Sequence, residues 1–214
     1  MRAHDDHRRR AGVGGRRARA PRPVRRRAVA AGGLTLALLG SGAAAAQAPT
    51  TVVTRDGADA LAGAPDLRRV AATRSSDGSV RLAVSLAEEL AAGDLLTDKD
   101  ATGPPGSICV RLWTVSTPGK TRADLLACVT AQPDGKTLRS TITKEVAGAL
   151  PSTVGTATLT RPSDTSLALR IPSSLLAGAR RLAFAGEATR PGCVRHRCVD
   201  LAPDAGATKT LRLR

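Results

Sequence analysis

The sequence predicts an all-β fold, a single antiparallel β-sandwich of about eight to nine strands with one or two short helical turns. Three observations carry that expectation. Short runs of apolar–polar alternation recur along the chain, with Gly, Pro, Asp and Ser between them. Apolar residues at helical spacing are not sustained over any long window. One pair of runs, Ser107 to Ala131, reads as a β-hairpin whose register sets two cysteines side by side.

The chain opens on residues 1–46, read as a signal peptide with an unusually long Arg-rich n-region. Arginines run up to Arg27, and Ala28 to Ala46 are nineteen residues without a charge. Ala44 and Ala46 fit an A-x-A cleavage site before Gln47. Nineteen uncharged residues just reach across a bilayer. Only Val29, Leu34, Leu36, Leu38 and Leu39 among them are strongly apolar, so cleavage is preferred and no stable membrane anchor is expected afterwards. Two questions about the leader stay open. Arg26-Arg27 fits a degenerate twin-arginine signal as an alternative to general secretion, and translation from Val24 rather than Met1 would leave a leader of ordinary length.

Residues 47–66 read as a mobile tail and a Gly/Ala/Asp-rich loop, and residues 67–214 as the sandwich domain. Leu67 to Thr73 is a strand whose imperfect alternation implies a bulge. After the Ser76-Asp77-Gly78-Ser79 turn, Val80, Leu82, Val84 and Leu86 alternate cleanly with Arg81, Ala83 and Ser85. Glu88 to Ala92 reads as one helical turn ended by Gly93, and Asp94 to Gly106 as a long acidic loop. Beyond the hairpin, strands fall at Thr137 to Thr143, weakly at Thr153 to Thr160, and at Leu167 to Ile171. Ser173 to Gly178 reads as a capped turn, Leu182 to Phe184 as a strand, and Thr210 to Arg214 as the closing strand.

Within the hairpin, a turn centred between Pro118 and Gly119 opposes Cys109 to Cys128. It sets Ile108, Val110 and Leu112 on one face with Leu125, Ala127 and Val129, and Cys109, Arg111, Trp113 and Cys128 on the other. Pro-Gly favours unprimed turns, which two-residue hairpins avoid, so a longer loop or a bulge is the alternative. All four cysteines lie beyond residue 46, and an even count in an oxidising compartment argues for two disulfides. Of the three pairings, Cys109–Cys128 and Cys193–Cys198 are favoured.

The formal charge of +15 is largely a property of the leader. Residues 1–46 hold 11 arginines and 2 aspartates of the 33 Lys+Arg and 18 Asp+Glu, which leaves the exported part at +6. One Trp, one Phe and no Tyr supply no series of stacking platforms, which argues against nucleic acid as a partner. Attraction to anionic cell-wall polymers remains as a general field effect. No G-x-S-x-G elbow, H-E-x-x-H, S-x-x-K or phosphate-binding Gly loop is present, and no catalytic residue is assigned.

Two stretches of the exported part carry a resemblance. Asp56-Gly57-Ala58-Asp59 and Ala64-Pro65-Asp66-Leu67 lead into a strand, Asp77-Gly78 precedes a second, and Cys193 with Cys198-Val199-Asp200-Leu201-Ala202-Pro203-Asp204-Ala205-Gly206 precedes the last. This pattern resembles secreted proteins of high-GC Gram-positive bacteria whose exported domain is similar to DOMON-type and family-nine carbohydrate-binding β-sandwiches. The resemblance implies the fold more than a ligand. Haem-binding relatives use Met and His, whereas the only Met is Met1 and the sole His beyond the leader is His196; sugar-binding relatives use paired aromatics, whereas Trp113 stands alone.

Three groups of residues are candidate sites. Trp113 with Arg111 reads as a ligand platform through stacking or cation–π contact, but a ring that covers the adjacent disulfide or is buried under a second layer is preferred. Asp94, Asp98, Asp100 and Thr102 space oxygen ligands before Gly103 as Ca²⁺ loops do, but Cys109 stands where an EF-hand has its bidentate Glu, and a solvated acidic loop is preferred. Cys193 to Cys198, enclosing Arg195, His196 and Arg197, reads as a stapled loop rather than a zinc site or a protease-inhibiting loop. No other cofactor is expected. The sum is a secreted, non-catalytic binding or structural module of the cell envelope or cell wall, its partner an envelope protein or glycan. The alternative is a secreted hydrolase or protease inhibitor. The leader reading predicts that the exported chain begins at Gln47; N-terminal sequencing checks it, and an intact Met1 or Val24 terminus on exported protein contradicts it.

Overall fold

A computed structural model describes residues 50–60, 63–97, 103–114, 123–146, 148–176, 178–193 and 198–214. The leader, the Pro118-Gly119 tip, and Arg195, His196 and Arg197 lie outside the described residues. Twelve strands occur among the described residues: β1 (Thr51–Arg55), β2 (Leu67–Arg74), β3 (Val80–Leu86), β4 (Ser107–Trp113), β5 (Leu125–Ala131), β6 (Leu138–Lys144), β7 (Ser152–Gly155), β8 (Thr158–Ser163), β9 (Ser166–Ile171), β10 (Arg181–Thr189), β11 (Val199–Ala202) and β12 (Lys209–Arg212). A five-stranded sheet has the order β1-β2-β3-β9-β8, and a seven-stranded sheet the order β11-β10-β4-β5-β6-β7 with β12 also on β10. Every pairing is antiparallel. The fold is the all-β sandwich expected, with more strands than the eight or nine anticipated.

The hairpin holds the expected register. Cys109 lies opposite Cys128, Ile108 opposite Val129 and Leu112 opposite Leu125. Both disulfides, Cys109–Cys128 and Cys193–Cys198, are formed. The bulge anticipated in β2 falls between Leu67 and Arg69.

Three expectations are corrected. The segment read as a mobile tail supplies β1, an edge strand paired with β2. The weak strand at Thr153 to Thr160 is two strands: β7 belongs to the seven-stranded sheet and β8 to the other, the chain crossing between layers at Thr156 and Ala157. The helical turn placed at Glu88 to Ala92 lies instead at Ala92–Leu95, a 3₁₀ turn. There the Asp94 carboxylate accepts the Ala91 N–H at 2.6 Å, and Leu95 is fully buried. Strand β11 was not anticipated, because the residues it turns inward are Asp200 and Ala202, a charged and a small one.

The interior is aliphatic. Leu82, Val84, Leu167, Leu169 and Ile171 of the five-stranded sheet face Val110, Leu112, Ala127, Val129 and Ile142 of the other, with Phe184 the one aromatic ring among them. β10 is central to the seven-stranded sheet: β4 pairs along one edge, β12 and then β11 along the other. Its Gly186 faces the five-stranded sheet where side chains of β2 stand close. A Cβ there would stand 2.6 Å from Val70 Cγ2 and 3.2 Å from Leu67 Cδ1. Val70 is stiff about χ1 and fully buried, so it cannot yield cheaply. Gly186→Ala is therefore expected to lose about 1–3 kcal/mol through overpacking, measurable by denaturant titration. An unchanged midpoint would mean that the sheets part without cost.

Candidate functional site

The outer face of the seven-stranded sheet carries Arg111 and Trp113, as the hairpin register requires. Arg111 Nε lies 2.5 Å from Glu187 Oε2, a cross-strand ion pair between β4 and β10, although no N–H is aligned on that oxygen. Trp113 is 5% exposed and packs with Ala123, Ala183 and Ala185 in a small second cluster outside the main core. The indole is thus covered, and Arg111 is engaged. The Cys109–Cys128 bridge lies on the same face, so β4 and β10 are buried on both sides near this point.

Of the four proposed oxygen ligands in the acidic loop, Asp98, Asp100 and Thr102 lie outside the described residues. The fourth, Asp94, is engaged in capping Ala91.

A different group of carboxylates gathers at one end of the sandwich. Asp56 follows β1, Asp66 precedes β2, Asp200 sits in β11, and Asp204 begins the 3₁₀ turn Asp204–Gly206. Asp200 is 5% exposed and its Oδ2 accepts the Leu67 N–H at 2.6 Å, so one buried side chain ties the edge of one sheet to the start of β2 in the other. Asp56, Asp59 and Asp204 bring one carboxylate oxygen each within 4.8 Å of one another. Both oxygens of Asp56 are shielded from water and meet no donor. Burial first, then the charges of Asp200, Asp204 and Asp59, push the Asp56 acid up to about 7; a hydrogen bond with Asp204, which needs a proton on one of the pair, adds to the rise. Asp59 is raised by partial desolvation and then by Asp204, and Asp200 by burial against the opposing pull of the Leu67 N–H. Chemically the group can share protons near neutral pH. Its three converging oxygens are also donors of the type hard cations take, though fewer than the six to eight of a Ca²⁺ shell.

These residues were quoted in the sequence only as motif, in the Asp-Gly-Ala-Asp and Val-Asp-Leu-Ala-Pro-Asp stretches. Nothing local says that the two ends of the chain meet there.

The third surface is the outer face of the five-stranded sheet. Its middle cross-strand row is Val53, Ala71, Ala83, Ala168 and Thr160. Arg55 and Arg69 lie in the row on one side, Arg81 and Arg170 in the row on the other, and no acidic side chain falls in the three rows. Asp77, in the β2–β3 turn, takes the Arg170 guanidinium, whose Nε also donates to Ser79 Oγ at 3.0 Å. Hydrogen bonds from the Ser79 hydroxyl and N–H, and then Arg170, hold the Asp77 acid down at about 2. Arg55, Arg69 and Arg81 make no ion pair or side-chain hydrogen bond among the described residues. A shallow depression of about 230 Å³ opens beside Arg81 and Arg170, rimmed by Ser75, Thr158 and Thr160.

No family model matches the chain, and neither a curated protein nor a solved structure matches it. Among the described residues no helix is long and apolar enough to cross a membrane.

Two outcomes follow for the acidic end. Asp200→Ala leaves the buried Leu67 N–H without its acceptor and is expected to lose about 1–3 kcal/mol in denaturant unfolding. Because the folded protein holds the Asp56 proton more tightly than the unfolded chain does, this group lowers stability as pH rises from the ordinary carboxyl range near 4 through about 7. Asp77 acts in the opposite sense only between about 2 and 4, below that window. Asp56→Asn should therefore raise the melting temperature above pH 7 and flatten its decline between pH 4 and 7. Parallel melting curves for parent and variant at every pH would contradict the assignment.

Proposed function

We propose that this chain is an exported, non-catalytic β-sandwich that binds the cell envelope, its ligand a polymer of the cell wall. The observation that carries the reading is the outer face of the five-stranded sheet, where three arginines make no ion pair among the described residues and no carboxylate falls in the rows. Antiparallel sheets commonly bury one face and leave the other to solvent, and a flat basic face draws an anionic surface toward itself. The two disulfides fit an oxidising compartment, in keeping with the leader read in residues 1–46. The resemblance to DOMON-type and family-nine carbohydrate-binding sandwiches agrees with a binding role. Because Trp113 is covered, sugar stacking on that ring is not the mode of contact favoured here.

The test is sedimentation with isolated cell walls. The disulfide-intact protein is expected to pellet with walls at low ionic strength and to be released as salt approaches about 1 M, where charges are screened within roughly 3 Å. Protein that stays in the supernatant at low salt overturns the reading. Turnover in a panel of glycan, ester and peptide substrates would overturn the non-catalytic assignment.

A further inference from the structure

We propose that the outer face of the five-stranded sheet is a docking surface for a linear phosphodiester polymer with an acyclic polyol backbone; this rests on the envelope-binding reading and names its ligand class. Four arginines form two directly opposed cross-strand pairs, Arg55 with Arg69 on β1 and β2, and Arg81 with Arg170 on β3 and β9. Like charges directly opposite each other weaken a sheet. Among the described residues only one of the four, Arg170, has a carboxylate paired with it, in Asp77. Two such pairs on one face are an arrangement that folding alone does not favour and that a bound anion relieves.

The spacing points to a polymer. The two pairs are offset by four residues along the strands, about 13 Å, and by two strands across, about 10 Å, so their centres lie roughly 16 Å apart on a diagonal. A single small anion reaches one pair; a chain of anions laid along the diagonal reaches both. Between the pairs the floor is low. Ala71, Ala83 and Ala168 follow one another across the middle row, short side chains that leave room for a thin chain between the guanidinium heads. The hydroxyls of Thr158, Thr160 and Ser75 around the depression at Arg81 and Arg170 supply further donors for phosphoryl oxygens.

The chemistry of the face selects the backbone of that polymer. No aromatic side chain falls in its three rows, so neither a pyranose ring nor a nucleobase has a surface to stack on. A polyol phosphate asks for none.

The experiment is titration of the disulfide-intact protein with poly(glycerol phosphate) at about 50 mM salt and upward, beside neutral dextran and a single-stranded oligonucleotide of matched charge. Arg55→Gln with Arg81→Gln takes one exposed arginine from each pair. The double variant should bind roughly tenfold more weakly, with a slope of log affinity against log salt flatter by about two. It should melt no lower than the parent, since each change relieves a like-charge pair. Lys144→Gln with Lys209→Gln removes the same charge from exposed positions of the other sheet and should leave affinity within about twofold. The proposal falls if poly(glycerol phosphate) does not bind, if the lysine variant loses as much as the arginine variant, or if the oligonucleotide binds as well, which would assign the face to nucleic acid. Cell walls still pelleting the arginine variant like the parent would leave the envelope reading in place and remove this face from it. Failure of the parent to pellet at all removes the reading beneath it.

Discussion

The close packing of the two sheets is the constraint on which the rest of the structure depends. With Phe184 the only aromatic ring in the main core, the interior is filled by Leu, Val, Ile and Ala. At Gly186, against Val70 and Leu67, there is no room even for a Cβ. The same neighbourhood holds the bulge in β2 and the Asp200 bond to the Leu67 N–H, so steric contact and a buried hydrogen bond fix one corner of the sandwich together. From that corner β10 runs the length of the seven-stranded sheet, and β2 carries β1 and β3 on its two sides.

Charge is sorted over this frame by location. Carboxylates gather at one end, where β1 leaves its sheet and β11 returns, and burial together with their mutual repulsion holds a proton on Asp56 up to about pH 7. Arginines spread over the broad outer face of the five-stranded sheet, separated by alanine. The corresponding face of the other sheet is partly apolar and covered around Trp113. The sandwich thereby presents one basic broad side and one acidic tip, and its orientation against a charged surface follows from that division rather than from the total.

Much of the fold was legible in the sequence because period-two alternation and turn chemistry are local signals. Val80 to Leu86 and Leu167 to Ile171 declared both their strand character and their inward faces. The hairpin went further: cysteine identity fixed a pairing that Pro-Gly alone left ambiguous. What escaped was whatever depends on a distant partner. β1 becomes a strand because β2 lies beside it, β7 and β8 part because the layers do, and Asp200 points inward because an N–H waits in the other sheet. The candidate sites divide the same way. Trp113 was legible both in its place on the outer face and in the expectation that its ring is buried there. The arginine pairs were invisible because Arg55 and Arg69, like Arg81 and Arg170, meet only through sheet pairing.

The position of Trp113 has an optical consequence. It is the only indole in a chain without tyrosine, and it sits in the satellite cluster with Ala123, Ala183 and Ala185 rather than in the principal interior. Its emission therefore reports the loosening of that small cluster, while the aliphatic heart of the molecule stays dark to fluorescence. Loss of sheet structure, followed by far-ultraviolet dichroism, and the red shift of the indole are thus clocks on two different parts of one protein, and the interval between them measures how far the packing around Trp113 loosens ahead of the sheets.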